Sequence, residues 1–175
     1  MTKKVGIFIA CLALLAGCDS SKLSKNLINI EKDKIRDRID LFLLSYEKKD
    51  PHTLLSIIST SQDFYFLGSD VSEVSRSNAD YQNQLERDWK LFDSIEFGEI
   101  RKISIQVSKD GDIADALYEV PITTIVQGSQ SKFFLRISST FIKEDGIWML
   151  IQGMVSIPSI GESSVELNRR LNLSQ

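Results

Sequence analysis

The feature that most constrains the fold of this chain is a change in its hydrophobic spacing near Ser94. Before that residue, apolar side chains recur every three or four positions, which predicts amphipathic helices. After it they alternate with polar side chains, as between Ile103 and Val107, which predicts half-buried strands. Helices followed by a run of strands favour an α+β domain, in which helices pack on one side of a curved antiparallel sheet.

The helical part is expected to contain three helices. Apolar side chains between Ile28 and Tyr46 recur at helical spacing and predict the first helix. Asp50 followed by Pro51 offers an N-cap and a proline at the first helical position, which predicts a short second helix. Ser77 offers a cap for the third helix. The inward face of that third helix is predicted from four residues: Tyr81, Leu85, Trp89 and Phe92.

The strands are predicted from aromatic and alternating stretches. A short strand is expected at 63–67, and four longer antiparallel strands are expected after Ser94. Pro121 lies within a strand pattern, and proline inside a strand indicates an edge position or a bulge. Three turn signals separate the long strands: Asp110-Gly111, Gly128 and Asp145-Gly146.

Composition places the chain among globular proteins. Of its 175 residues, 42% are hydrophobic and 26% are charged, a balance typical of a folded domain. The net charge of -3 does not indicate a basic surface of the kind that binds nucleic acid. We predict one domain at 30–160, preceded by a polar tether at 18–29 and followed by a polar tail at 161–175.

The first 17 residues have the features of a secretory signal. Lys3 and Lys4 precede an apolar run that is too short for a transmembrane helix, which needs about 20 residues. The run ends in LAGC at 15–18, which resembles the lipobox of bacterial lipoproteins. That resemblance implies cleavage before Cys18 and a diacylglyceryl group on its thiol. The alternative is an ordinary signal peptide, 1–17, with an incidental cysteine.

The lipobox resemblance also predicts a location. Acyl chains on Cys18 would hold the protein on a membrane of the bacterial envelope, facing the periplasm. Asp19 resembles the signal that retains lipoproteins in the inner membrane, which favours that membrane and leaves the outer membrane open. Cys11 would be removed with the signal, so the mature chain would have no cysteine pair for an internal disulfide.

Few residues in the sequence suggest catalysis. His52 is the only histidine, the usual acid–base side chain near neutral pH, and its position beside Pro51 predicts exposure. Because the sequence has no histidine pair and no cysteine cluster, we predict no metal site, and no phosphate-binding or dinucleotide motif predicts a cofactor. Asp115 and Glu119 share one face of a strand and are either a general-base pair or solvated side chains.

One strand face is a candidate for ligand binding. Arg136 lies on it, and an arginine in a pocket would pair with an anionic ligand, above all a carboxylate. The alternatives are an arginine in solvent or one paired with a structural acid. If the last strand pairs with that of Arg136, four more residues share its face: Trp148, Leu150, Gln152 and Met154. Three aromatic residues are predicted either as core or as pocket lining: Phe66, Trp89 and Tyr118.

Several local motifs resemble one family when they are taken in order. FYFLGSD at 64–70 is similar to the first strand of the SnoaL-like branch of the nuclear transport factor 2-like, ketosteroid-isomerase-like superfamily. EDGIWML at 144–150 resembles the final hairpin of that branch, and SIP at 156–158 resembles the end of its last strand. The resemblance covers about residues 31–158 and implies a cone, in which the curved sheet encloses a pocket closed by helices.

The chain departs from the family pattern at one position of interest. Family members often carry a histidine in the last strand, two residues before the serine, where this chain has Met154. The preceding polar position, Gln152, is kept. The missing histidine removes an obvious proton-transfer group, and no local motif places the catalytic aspartate and tyrosine of the isomerases.

These observations predict a lipid-anchored envelope protein with a non-catalytic domain that binds a small apolar or amphiphilic ligand. One alternative is a homodimer or an accessory module of an envelope complex, which an exposed apolar patch on the sheet would favour. The second alternative is an isomerase or hydrolase that uses a pocket carboxylate of raised pKa. An aspartate or glutamate pointing into the cavity would favour this enzyme.

Overall fold

The computed structural model describes residues 25–158, together with Glu166 and Arg169. The predicted signal peptide, Cys18 and most of the predicted tail lie outside the described residues. Within the described part of the chain, no helix combines the length and the hydropathy needed to cross a membrane.

Three helices precede the long strands, as predicted. They are α1 (Lys25–Glu47), α2 (Pro51–Leu55) and α3 (Asn78–Leu91). The first helix already includes residues 25–29, which we had predicted as part of the tether. It ends close to Lys49, whose φ of 53° is incompatible with a continuing helix.

Both predicted N-caps are confirmed by their hydrogen bonds. The Asp50 side chain accepts from the backbone N–H of Thr53 at 3.1 Å and starts α2. The Ser77 hydroxyl accepts from the backbone N–H of Asp80 at 3.1 Å and starts α3. Each cap satisfies an N–H group that has no partner within the first turn of a helix.

The described residues contain seven strands in one sheet. They are β1 (Tyr65–Leu67), β2 (Val74–Ser75), β3 (Ser94–Phe97), β4 (Arg101–Val107), β5 (Ile113–Val126), β6 (Ser129–Glu144) and β7 (Ile147–Ser156). The order is β2-β1-β7-β6-β5-β3, and β4 also pairs with β5. All pairs are antiparallel except β1 with β7. The predicted α+β class is confirmed, whereas the short strands β2 and β3 were not predicted.

Strand β5 has two successive neighbours on one side. Its first half pairs with β4 and its second half with β3. Pro121 lies at the change of neighbour, and its carbonyl accepts from Gly98 N at 2.8 Å. In an antiparallel strand the N–H and C=O of a residue point to the same side. The missing N–H of Pro121 therefore faces the junction between β3 and β4.

Two of the predicted turns are two-residue hairpins with positive φ at both positions. Gln127 and Gly128 have φ of 49° and 76°, and Asp145 and Gly146 have φ of 48° and 81°. These values are typical of the type I′ turns that match the twist of antiparallel strands. They connect β5 to β6 and β6 to β7.

A bulge in β7 changes which side chains face the helices. Phe141 pairs with Leu150, whereas the preceding Thr140 pairs with Gln152, so Ile151 is an extra residue in β7. A single extra residue moves the following side chains to the opposite face of the sheet.

The bulge contradicts our prediction of one shared face along β7. Trp148 and Leu150 are each 2% exposed in the core, whereas Met154 beyond the bulge is 47% exposed. The concave face of the sheet packs against α1 and α3, and we call the opposite face the outer face.

A buried carboxylate joins α1 to the hairpin of β6 and β7. Glu31 accepts from the Trp148 indole N–H at 2.6 Å, and its oxygens lie 2.8 Å from Lys143 Nζ and 2.9 Å from Lys34 Nζ. Burial alone would raise the pKa of Glu31, but the hydrogen bonds from Lys143, Lys34 and Trp148 outweigh it and lower the pKa to about 2. The ionised form is therefore the one that stabilises the fold.

We expect Glu31→Gln to destabilise the domain at pH 7 and to flatten its pH dependence in acid. Because the pKa of Glu31 is lowered from 4.5 to about 2, its contribution of up to about 3 kcal/mol is present above pH 4.5 and is lost as the pH falls towards 2. Urea unfolding of both proteins from pH 7 to pH 3 measures this. Asp33→Asn, on the exposed side of the same helix, is the control. Equal pH slopes in wild type and Glu31→Gln would contradict the prediction.

Candidate functional site

The structure has a cavity of about 220 Å³ between the concave face of the sheet and the helices α1 and α3. An engineered cavity of about 150 Å³ holds benzene in another protein, so this one has room for a ring-sized molecule. Its aliphatic walls come from helix and strand residues: Leu43, Ile95, Ile122, Leu135, Ile137 and Val155.

Aromatic rings form much of the remaining wall. Phe66 and Tyr81 have ring centroids 4.9 Å apart, and Phe42 lies 6.4 Å from Phe66. Such pairs stabilise a wall beyond the burial of their area. The aromatic lining residues are Phe42, Tyr46, Phe66, Tyr81, Phe92, Phe97 and Phe133.

Helical spacing brings the lining residues of the two helices together. Phe42 and Tyr46 lie one turn apart on α1. On α3, Tyr81, Gln84 and Asp88 follow one another by three and four residues and therefore share one face. This face is buried at Tyr81 and Gln84, which are 2% and 3% exposed.

The position of Phe66 depends on a glycine in the neighbouring strand. Phe66 on β1 pairs with Gly153 on β7 in the parallel ladder. A Cβ atom at Gly153 would lie 2.5 Å from the Phe66 ring, far inside van der Waals contact. Only glycine therefore leaves room for the ring to lie against β7 and form the cavity wall.

One end of the cavity is polar. The Tyr46 hydroxyl donates to Asp88 Oδ2 at 3.3 Å. Gln84 also hydrogen-bonds Asp88, and its own Oε1 accepts from Ser75 Oγ at 2.8 Å. The Glu73 side chain lines the same cavity and accepts from Asp70 N at 3.0 Å.

Burial and charge make Asp88 a weaker acid than an ordinary aspartate. Burial, followed by the negative charge of Glu73, raises the pKa of Asp88 to about 6, although Tyr46, Arg87 and Gln84 oppose the shift. Burial, followed by the charge and hydrogen bond of Asp88, also raises the pKa of Tyr46. Asp88 is thus poised to accept or donate a proton near neutral pH.

Two exposed apolar side chains mark an opening of the cavity. Leu91 at the end of α3 and Ile157 after β7 both line the cavity, yet they are 69% and 54% exposed. The described part of the cavity lining therefore extends to the solvent-exposed surface at these residues.

Of the aromatic residues predicted for the pocket, Phe66 lines the cavity and two lie elsewhere. Trp89 packs edge-on against Tyr46 at 5.9 Å, behind the cavity wall. Tyr118 is on the concave face, but it hydrogen-bonds Ser139 and lies near Arg36 and Asp40 of α1. It is four residues before the lining residue Ile122, roughly 13 Å along β5. Tyr118 does not line the cavity, and its prediction as a lining residue is therefore corrected.

Arg136, Gln152 and Met154 are on the outer face of the sheet. The side chain of Arg136 is 56% exposed, and its Nε lies 3.0 Å from Glu119 Oε1. This geometry matches the alternative of an arginine paired with a structural acid. The prediction that these three residues line the pocket is therefore corrected. Gln152 and Met154 follow the bulge in β7, which places them on the outer face together with Arg136.

The other predicted acid–base candidates also lie away from the cavity. Glu119 pairs with Lys102 at 2.7 Å as well as with Arg136. Asp115 accepts from Thr140 Oγ1 at 2.7 Å on the same outer face. His52 is exposed in α2. Within the described residues, no group of three or more histidine, cysteine or acidic side chains is arranged to hold a metal ion.

The sequence analysis missed the polar end of the cavity. Asp88 lies three residues after Leu85 and seven after Tyr81, so the predicted inward face of α3 contained the signal for its burial. Tyr46 was assigned to the apolar face of α1 without a role for its hydroxyl. Glu73 is brought to the site by the turn after β1, which residue spacing does not predict.

Comparison with protein families gives one match across most of the chain. A family model described as a SnoaL-like domain matches residues 35–160. No curated protein is significantly similar in sequence.

Solved structures share the fold at low sequence identity. An NTF2-like superfamily protein from Salmonella enterica superposes with a TM-score of 0.69 at 19% identity, over 78% of this chain and 96% of that chain. A candidate dehydratase of the NTF2-like family from Streptomyces avermitilis gives 0.67 at 14% identity, over 75% and 99%. A candidate scytalone dehydratase from Novosphingobium aromaticivorans gives 0.65 at 13% identity, over 78% and 97%.

We expect the carboxyl group of Asp88 to titrate with a midpoint near pH 6. The measurement is an NMR titration of the side-chain carboxyl carbons. Glu73→Gln should lower that midpoint towards the ordinary 3.8, because it removes the neighbouring negative charge. Glu86→Gln removes the same charge from the exposed face of α3 and should leave the midpoint unchanged. A wild-type midpoint near 4 would show that Asp88 is solvated.

Proposed function

The chain belongs to the SnoaL-like domain family, and on that premise we propose that it binds one small, largely apolar molecule with a polar end. The observation that carries this proposal is the cavity of about 220 Å³ between sheet and helices. Its walls are aliphatic and aromatic, and its polar groups converge at Asp88 and Tyr46. Mostly apolar pockets with a few placed polar groups are typical small-molecule sites.

The cavity favours binding through burial of apolar surface. Ring-sized ligands gain about 25 cal/mol for each Å² of apolar surface removed from water. The polar end then selects among ligands by hydrogen bonding, since an unmatched buried polar group carries a penalty of about 1–3 kcal/mol. A molecule with an apolar body and one polar group meets both requirements.

A second candidate function is proton-transfer catalysis in the same cavity. It is favoured by Asp88, a cavity carboxyl with a pKa of about 6 that accepts a hydrogen bond from Tyr46. The enzyme alternative in the sequence analysis required such a carboxylate. Two of the structural neighbours are named as candidate dehydratases. Asp88 would act as the base and the Tyr46 hydroxyl would orient it.

A third candidate, a homodimer or accessory module, is supported by the outer face. Leu117 and Met154 both lie opposite Ser138 in adjacent ladders and are 58% and 47% exposed. Phe134, 37% exposed, lies further along β6 on the same face, where Arg101 lies 5.8 Å from its ring centroid. Exposed apolar side chains that flank Ser138 on a sheet face suit a docking surface for a second copy or an envelope partner.

We also propose that the domain is anchored to the bacterial envelope, facing the periplasm, through lipid on Cys18. The support is the LAGC sequence at 15–18 after a short apolar run. Two or more acyl chains give stable anchoring, whereas one gives only marginal binding. Asp19 favours the inner membrane.

We expect Cys18→Ser to abolish fatty-acid attachment. The lipid is carried by the thiol, which serine lacks. Cells are grown with labelled palmitate, and the label and the intact mass of the purified protein are measured. Cys11→Ser is the matched control and should keep the label, because Cys11 lies inside the apolar run. Label retained in Cys18→Ser, or absent from wild type, would contradict lipid anchoring.

We expect native mass spectrometry of the mature chain, extracted gently from the envelope in mild detergent, to show a discrete retained small molecule beyond any lipid on Cys18. Val155→Trp should lose this added mass, because an indole at this half-buried lining position occupies the cavity. Val126→Trp, at an exposed position next to the hairpin of β5 and β6, should retain it. Melting temperatures show whether each variant is folded.

The outcomes of this experiment separate the three candidates. An added mass that survives in Val155→Trp would contradict the cavity as its site. Turnover of the retained molecule by wild type, but not by a binding-competent Asp88→Asn protein, would select the enzyme. An empty dimer would select the interaction module.

A further inference from the structure

The charges around the cavity restrict the kind of ligand it can accept. Two lining residues, Glu73 and Asp88, carry carboxyl groups. Among the described lining residues there is no lysine, arginine or histidine. The site therefore offers negative charge and hydrogen-bond acceptors to a ligand, and an anionic ligand would meet repulsion.

The groups near Asp88 leave its negative charge incompletely balanced. Tyr46 on α1 and Gln84 on α3 donate hydrogen bonds to it. Glu73, from the turn after β1, adds a second negative charge to its surroundings. The opposing positive charge comes from Arg87, an exposed residue on α3. A cation placed beside both carboxyl groups would relieve this repulsion.

Lys49, two residues after the end of α1, is already engaged by the end of α3. Lys49 Nζ donates to the backbone carbonyls of Trp89 and Phe92 at 2.8 and 3.0 Å. It lies 5.1 Å from the centre of the Phe92 ring. Lys49 therefore holds the end of α3 and is not a partner for Asp88 or Glu73.

Aromatic rings next to the acids add a second preference for a cation. The Tyr46 ring centroid lies 6.2 Å from that of Phe92 and 6.0 Å from that of Phe97, and all three line the cavity. The faces of such rings attract ammonium groups, more strongly when water is excluded. Carboxylates and aromatic rings together are the usual partners of an organic ammonium ion.

We propose that the ligand of this cavity is a primary ammonium compound with a ring-sized apolar body, its charged nitrogen placed between Asp88 and Glu73. This inference rests on the proposed ligand-binding function and narrows it to one chemical class. The anionic ligand considered for Arg136 loses its support, because that arginine lies on the outer face and pairs with Glu119.

The test compares three probes that share a phenyl ring and differ in charge: 2-phenylethylammonium, 2-phenylethanol and phenylacetate. Each is titrated calorimetrically at pH 8 into the full chain purified in detergent, and a detergent-only titration is subtracted. We expect the ammonium probe to bind at least tenfold more tightly than the alcohol. Phenylacetate should bind at least tenfold more weakly than the alcohol.

Variants connect the charge preference to the two acids. Asp88→Asn should weaken ammonium binding at least fivefold and leave 2-phenylethanol binding within twofold, which also shows that the cavity remains formed. Glu73→Gln should act in the same direction. Glu86→Gln, on the exposed face of α3, should change neither affinity.

The pH dependence provides an independent readout. Asp88 loses its negative charge as the pH falls through about 6, whereas an alkylammonium ion stays protonated. Ammonium affinity should therefore fall between pH 8 and pH 5 in wild type, and should fall much less in Asp88→Asn.

Different failures have different meanings. Alcohol or phenylacetate binding as tight as ammonium binding would overturn the ammonium proposal and leave the ligand-binding function standing. Unchanged ammonium affinity in both Asp88→Asn and Glu73→Gln would overturn it as well. If none of the three probes bound to wild type, the proposal would fail together with the ring-sized cavity function on which it rests.

Discussion

One extra residue in β7 determines which side chains of the last strand reach the helices. Before Ile151, Trp148 and Leu150 face the core, and after it Gln152 and Met154 face the outer side. The bulge therefore places Gly153 on the concave face, where the absence of a side chain leaves room for the ring of Phe66. Without this change of register the cavity wall between β1 and β7 would be built from different residues.

The sequence predicted the elements that depend on local spacing. The structure confirms the predicted helical periods, the caps at Asp50 and Ser77, and the turns at Gly128 and Gly146. Each of these features is determined by residues that are close in sequence. The short strands β2 and β3 were missed because neither has the aromatic run that indicated β1, and each is held by pairing with β1 or β5. Pairing of that kind leaves little periodic signal.

The site was harder to predict than the helices and turns, because it also depends on how the strands pair. Gln152 and Met154 were assigned to the face of Trp148 by alternation, which fails beyond the bulge in β7. Arg136 was assigned to that face through its pairing with the part of β7 that follows the bulge. Tyr118 faces the correct side of the sheet, but it lies near Arg36 and Asp40 of α1, away from the lining of the cavity. The burial of Asp88 could have been predicted from helical spacing alone. The position of Glu73 depends instead on the conformation of the turn after β1.

Glu31 and Asp88, whose pKa values are shifted to about 2 and about 6, have opposite effects on stability. Glu31 has a lowered pKa, so its charge stabilises the fold and is needed where α1 meets Trp148. Asp88 has a raised pKa, so the folded state holds its proton more tightly than the unfolded chain, and its contribution to stability falls as the pH rises from about 4 to about 6. An acid that weakens the fold at neutral pH, placed in a cavity beside Glu73 and aromatic rings, is the kind of group that marks a candidate functional site. Burial and then the repulsion from Glu73 raise the pKa of Asp88, and the repulsive part is the free energy that a bound cation would recover.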